Sequence, residues 1–225
     1  ETRRVIDIRQ NSFAILDIIQ GRTTEHQNKL TISPDGGKSL IWVRIGKTIP
    51  KNELPKVDVD ADIAVVEREW NEFLAKMPVF PPDRHAEAEA AWHAMWCAFV
   101  RAEGNLAYDA MLCNKEFMTG VWSWDHCFHA LGIARGDHKA AVEQLLLPFV
   151  RQDEKTGKLP DMWKSPDVEL WGITKPPVHG WCLLKLMEVG EVDRSTLEWL
   201  YPRLVKWTEY WFRERDDDKD GIPNY

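Results

Sequence analysis

Four cysteines in 225 residues leave little room for a disulfide framework. Cys97, Cys113, Cys127 and Cys182 show no metal-ligand spacing, and three of them fall in apolar helical patterns. They read as buried free thiols, which fits a reducing compartment and a cytoplasmic location. Long apolar runs are missing, and so is a leader with a basic start and a small-residue cleavage site, so nothing predicts a membrane span or secretion. There is no excess of positive charge. The formal net charge is −7, which argues against a nucleic-acid partner. No glycine-rich phosphate loop, no serine-nucleophile elbow and no fixed-period repeat occurs. Tyrosine is scarce too, with four residues against twelve tryptophans. Several tryptophans, among them Trp122, Trp163 and Trp171, fall in or beside loops, a bias that carbohydrate clefts share and that core packing can also absorb.

The chain is long enough for one large or two small domains. Residues 1–50 carry short β-rich runs, and Ser33-Pro-Asp-Gly-Gly37 between Leu30–Ile32 and Ser39–Ile45 predicts a hairpin. Residues 51–60 read as a linker, in a proline- and charge-rich stretch that starts near residue 47. Six helices are expected across residues 61–225. The first spans 61–77 on Ile63, Val66, Trp70, Phe73 and Leu74. The second is capped by Asp83 and runs to about Val100. The third opens at Asp125, and the fourth follows Asp137. The fifth opens in Lys175–Trp181, and the sixth runs from about Ser195 to Glu214. Residues 104–120 and 151–176 are expected as long loops, and a loop of the latter length is usually functional. These loops and the tail after 214 alternate along the chain, so paired helices would gather them at one end.

The stretch Gly120-Val-Trp-Ser-Trp-Asp125 is the most informative. Trp122 and Trp124 flank a carboxylate that opens an apolar helix. Rings stack on the C–H face of a pyranose and a carboxylate accepts from its hydroxyls. The competing reading makes Asp125 a helix cap and the tryptophans core.

Four stretches in order resemble glycoside hydrolase family 63: Gly120–Asp125, Leu159-Pro-Asp161, Thr174-Lys-Pro-Pro-Val-His-Gly-Trp181 and Asp218-Lys-Asp-Gly-Ile-Pro223. That resemblance implies a mainly α fold, the first half of an (α/α)6 barrel preceded by a β-rich segment from an N-terminal β domain. It implies hydrolysis of an α-glycosidic bond with inversion, on an oligosaccharide or a small α-glycoside. It implies substrate contacts at Trp122, Trp124, Asp125 and Lys175, while Trp181 is divided evenly between cleft and core. The family's general acid follows the motif that ends at Tyr225, and its general base lies near the far end of the barrel. Both are therefore expected outside these residues, as is the remaining half of the barrel, in the same protein or another chain. On that reading Leu204, Trp207, Tyr210 and Trp211 of the last helix would meet a further helical hairpin, and the 225 residues alone would not form a stable monomer.

Asp216-x-Asp218-x-Asp220-Gly221 matches the first half of a calcium loop. The incomplete ligand set favours a solvated acidic helix stop, and no cofactor is required, although a structural calcium ion is a possible occupant. His126, His129, His138 and His179 show no metal-binding arrangement, and His129 is expected to pack. The nearest enzyme alternative is a trehalase-like (α/α)6 glycosidase, and the alternative outside enzymes is a non-catalytic carbohydrate-binding helical scaffold.

Overall fold

A computed structural model describes residues 2–8, 12–26, 29–36, 39–46 and 58–224. The chain divides into two compact units, Glu1–Asp58 and Val59–Tyr225. Most of the expected linker, residues 51–57, lies outside the described residues.

The first unit is β-rich. Strands β1 (Thr2–Ile8), β2 (Ser12–Gln20) and β5 (Leu40–Gly46) form an antiparallel sheet in the order β1-β2-β5. Strands β3 (Arg22–His26) and β4 (Lys29–Ser33) pair with each other. Ile15 and Ile18 are buried. Among the described residues the hairpin expected around Ser33–Gly37 is not seen: β4 pairs with β3, and β5 with β2. Gly36 does take positive φ. Residues 34–39 separate the two strands, however, and that is longer than the two-residue turn that zips neighbouring strands.

The second unit is mainly helical, with helices α1 (Val59–Leu74), α2 (His85–Ala98), α3 (Asp125–Ile133), α4 (His138–Val150), α5 (His179–Val189) and α6 (Arg194–Glu214). Periodic apolar positions set these elements, and short polar side chains mark two starts. Asp137 accepts from the Ala140 amide at 3.0 Å and opens α4. Asp193 accepts from the Thr196 amide at 2.9 Å and opens α6. Asp83, expected to cap α2, instead lies in a 3-10 turn, Pro82–Arg84, and the cap position is Arg84 with no side-chain bond. Two prolines at the start, Pro81 and Pro82, favour that tighter turn.

The core gathers α3, α4, α5 and α6. Ile133, Leu145, Phe149, Leu186, Leu200 and Trp207 are fully buried within it. Trp92 of α2 joins them and donates from its indole N–H to the Phe73 carbonyl at 2.8 Å. Ile63 and Val66, two of the positions at helical spacing that predict α1, are half exposed, and only the second half of that helix, at Trp70, Phe73 and Leu74, packs on the core. Leu204, Trp207, Tyr210 and Trp211 were expected to need a following hairpin. All four are buried by their own unit. Trp207 stacks on Tyr210 with centroids 5.5 Å apart, and it bonds to His179 of α5. A long amphipathic helix can turn its aromatic stripe onto earlier elements, and spacing alone does not say which neighbour covers it.

The two expected loops contain strands. β6 (Phe99–Val100) pairs with β7 (Ala110–Met111). β8 (Val121–Trp122), β9 (Met162–Ser165) and β10 (Val168–Leu170) form an antiparallel sheet in the order β10-β9-β8. The two connections meet at Asn105, whose amide donates to the Pro166 carbonyl at 2.8 Å. Gln144, buried on α4, binds β7 on both sides: its carbonyl accepts from the Met111 amide at 2.9 Å and its amide donates to the Asp109 carbonyl at 2.8 Å.

Candidate active site

Asn114 begins the construction. Its side-chain carbonyl accepts from the amides of Glu116, Phe117 and Met118 at 2.9–3.0 Å, which winds the chain into Gly120. A Cβ on Gly120 would lie 3.0 Å from the Trp163 carbonyl and 2.2 Å from the Met162 methyl. Glycine there lets β8 lie against β9, where Val121 pairs with Trp163 and Trp122 with Met162. Trp163 is buried in this sheet, so it is core and not a sugar contact.

Ser123, between the two site tryptophans, is clamped on both backbone groups. Its amide donates to the Asp161 carbonyl at 3.0 Å. Its carbonyl accepts from His179 Nε2, also at 3.0 Å. Thus Gly120–Asp125, Leu159–Asp161 and Thr174–Trp181, far apart in sequence, are brought together at one residue. The fourth stretch, Asp218–Pro223, bonds back to Asp216 within its own turn.

Asp125 is the first residue of α3 and half-buried, and the helix is capped by Trp124 without a side-chain bond. Its carboxylate is therefore not a helix cap. Burial, and then the nearby Asp125 charge, push the Cys113 thiol up to about 12, so Cys113 stays protonated. One turn along, His129 is held below the usual histidine range, chiefly by burial, with the Asp125 charge opposing. Trp122 and Trp124 are half-buried. Trp124 meets the edge of Phe128 at 5.8 Å, and Phe128 meets Trp181 of α5 at 6.3 Å. Trp181 is 47% exposed.

Lys175 Nζ lies 3.1 Å from Asp161 Oδ1, and both side chains are largely buried, at 13% and 8% exposed. Sequence reasoning does not place Asp161 in the site, although the Leu-Pro-Asp motif that holds it was the available signal. Ser123 and His179 were likewise missed as organisers. His179 is fully buried, donates from Nε2 to Ser123 and accepts from Trp207 Nε1 at Nδ1, 3.1 Å away. Those two bonds fix one neutral tautomer, and burial lowers its pKa to about 4, against a weaker opposing effect from the Ser123 carbonyl. His126 is also buried and lowered to about 3, by burial first and then by His129.

The carboxylates of Asp216, Asp218 and Asp220 gather with ligand atoms within 4.8 Å of one another. Asp216 accepts from the amides of Asp220 and Gly221, each at 3.1 Å, and Gly221 takes φ +83°. A turn of this kind suits the first half of a calcium loop, whose sixth position is glycine. Elsewhere α1, α2 and α4 border a cavity of about 870 Å³ lined by Phe73, Lys76, Trp96, Arg101 and Asp137 among others. None of the predicted site residues lines it. Its charges largely satisfy one another, with Lys76–Asp137 at 2.6 Å and Arg101–Glu69 at 2.9 Å. The predicted site residues gather instead around Ser123.

Those converging motifs lie in a stretch that can be compared with known proteins. Residues 118–225 match the mannosylglycerate hydrolase MGH1-like glycoside hydrolase domain. The chain is 34% identical over 126 residues to the mannosylglycerate hydrolase of Rubrobacter radiotolerans, an alignment covering 45% of this chain and 28% of that protein. It is 27% identical over 120 residues to mannosylglycerate hydrolase MGH1 of Selaginella moellendorffii, covering 45% and 25%. It is 29% identical over 124 residues to the mannosylglycerate hydrolase of Thermus thermophilus, covering 45% and 29%. The chain thus spans between a quarter and a third of the length of these relatives. The matched glycoside hydrolase domain contains Trp122, Trp124, Asp125, Asp161, Lys175 and Trp181. Among the described residues no helix is long and apolar enough to cross a membrane.

Proposed function

We propose that this protein is an α-glycosidase that hydrolyses a small α-glycoside, of the mannosyl- or glucosylglycerate type, with inversion. The observation that carries the reading is the convergence of three sequence motifs on Ser123, inside the stretch that matches a glycoside hydrolase domain. In this reading Asp125 accepts from ring hydroxyls, Trp122 and Trp124 form apolar walls, and Lys175 donates to a hydroxyl or an anionic group. Trp181 carries the aromatic surface onward through Phe128. Inversion needs a carboxylic acid to protonate the leaving oxygen and a carboxylate to activate water, spaced by roughly 6.5–9.5 Å. We assign both to sequence beyond Tyr225, with the helices that complete an (α/α)6 barrel. A structural calcium ion would be held by Asp216, Asp218 and Asp220, and the reaction requires none.

The test is hydrolysis of α-mannosylglycerate, α-glucosylglycerate and trehalose by the full-length protein, with the product anomer followed by proton NMR. The expected result is turnover of a glycerate glycoside with the β-anomer appearing first. Preference for trehalose would favour the trehalase-like alternative. Saccharide binding without any hydrolysis would favour the non-catalytic scaffold.

A further inference from the structure

We propose that Asp161 is a positioning residue that acts through Lys175, aiming its ammonium at the ligand held beside Asp125. The identity of that ligand rests on the glycosidase reading above; the positioning itself does not.

Lysine is a point charge on a flexible four-carbon stem, and its side chain loses much rotamer freedom when held in one place. Two rigid backbones reduce that cost here. Asp161 follows Pro160, and both its backbone groups are bonded: its amide donates to the Leu170 carbonyl at 2.8 Å and its carbonyl accepts from Ser123 at 3.0 Å. Lys175 precedes Pro176 and Pro177, and a residue before proline is confined to extended conformations. The carboxylate therefore sits on a fixed frame and meets the ammonium at 3.1 Å.

Buried carboxylate oxygens that serve only the fold are nearly always hydrogen-bonded. Asp161 Oδ1 is buried and has no aligned hydrogen bond, and its partner is the Lys175 charge alone. Because that contact is a charge contact and not an aligned bond, the ammonium keeps donors for a ligand hydroxyl or carboxylate. The Asp161 carbonyl also fixes Ser123, two positions before Asp125.

The experiment measures Lys175 directly. The full-length protein is treated with an acetylating N-hydroxysuccinimide ester, and the rate at each lysine is read by peptide mass mapping. In the unsubstituted protein Lys175 should react far more slowly than Lys139, whose side chain is 88% exposed. Asp161→Asn should raise the Lys175 rate about tenfold, because an ammonium buried without its counter-charge is disfavoured. Asp161→Glu should restore most of the protection, and Asp161→Ser replaces Asp161→Asn as the test variant if the latter does not fold. In turnover, Asp161→Asn should raise KM about tenfold and change kcat less. Added to Lys175→Met it should cost nothing further, the signature of a residue that acts through another. Protection of Lys175 in Asp161→Asn or Asp161→Ser equal to that in the unsubstituted protein, or full additivity with Lys175→Met, would overturn the proposal. Absence of glycosidase activity in the unsubstituted protein would sink the functional reading instead, and the acetylation rates would still decide the positioning.

Discussion

Asp125 shows how much a single side chain decides. It opens a helix, which is where a capping aspartate is also found, and sequence alone leaves both roles open. In the folded chain the cap is Trp124, the carboxylate raises the pKa of the Cys113 thiol, and the side chain is only half-buried. Asp125→Asn is expected to leave circular dichroism unchanged, since no cap is lost. In the full-length enzyme it should lower kcat about 100-fold or more, about 3 kcal/mol, because hydrogen bonds to ring hydroxyls strengthen in an oxocarbenium-like transition state. Near-normal turnover in that variant would show that the carboxylate only supports the fold. Cys113, beside it, stays protonated with its pKa near 12 and should resist alkylation at neutral pH.

At the scale of elements, the connections carry more order than their polar composition suggests. Residues 151–176 read as a loop because β9 and β10 are short and interrupted by Pro166 and Asp167. The pairing of β9 with β8, across forty residues of sequence, and of β10 with β9 is what makes them strands. The turn at Gly157 anchors the start of this connection. Its φ is +82°, and a Cβ there would lie 2.6 Å from the Lys206 carbonyl of α6. Gln152 bonds to the Gly157 carbonyl at 2.8 Å and to the Arg203 carbonyl at 2.9 Å, tying the same turn to α6. Gly157→Ala should therefore destabilise the protein by roughly 2 kcal/mol, through a strained backbone plus a clash with main chain that cannot swing aside. A urea titration measures it, and a midpoint unchanged from the unsubstituted protein would show that the turn relaxes freely.

At the scale of the molecule, two buried neutral histidines link α3, α4, α5 and α6 and make the fold sensitive to acid. His126 donates to the Gln144 backbone carbonyl at 3.2 Å, and His179 joins Ser123 to Trp207. Their folded pKa values, about 3 and about 4, lie below the unfolded value of 6.5. Above pH 6.5 both states are neutral and this contribution is fully present. As pH falls below 6.5 the unfolded chain takes up protons that the folded chain refuses, so stability declines until the folded pKa values are passed. Each tenfold difference in proton affinity between the two states is worth about 1.4 kcal/mol, so the loss is on the order of several kcal/mol, comparable with the whole stability of a domain. The melting temperature should fall steeply between pH 6.5 and 4, and His179→Gln should flatten that slope while lowering the plateau. A melting curve independent of pH over that range would contradict the buried neutral assignment.

Residue order by itself determined the six helices, because apolar positions at helical spacing and proline stops are local facts that the chain carries wherever it folds. It also determined the motif set, and with it the match to a glycoside hydrolase domain. The tertiary structure decided what local pattern cannot express. Strand partners were one such matter: β4 chose β3 and β5 chose β2, against the turn signal between them. Which aromatics are core was another, since Trp163 and Trp207 are buried and Trp181 is not. The meeting of three distant motifs at Ser123, and the pairing of Lys175 with Asp161, depend on groups whose partners lie tens of residues away or across a turn of the fold. A side chain's neighbours across the fold are set by packing and by the need to satisfy every buried polar group, and neither condition is written in the spacing of any one segment.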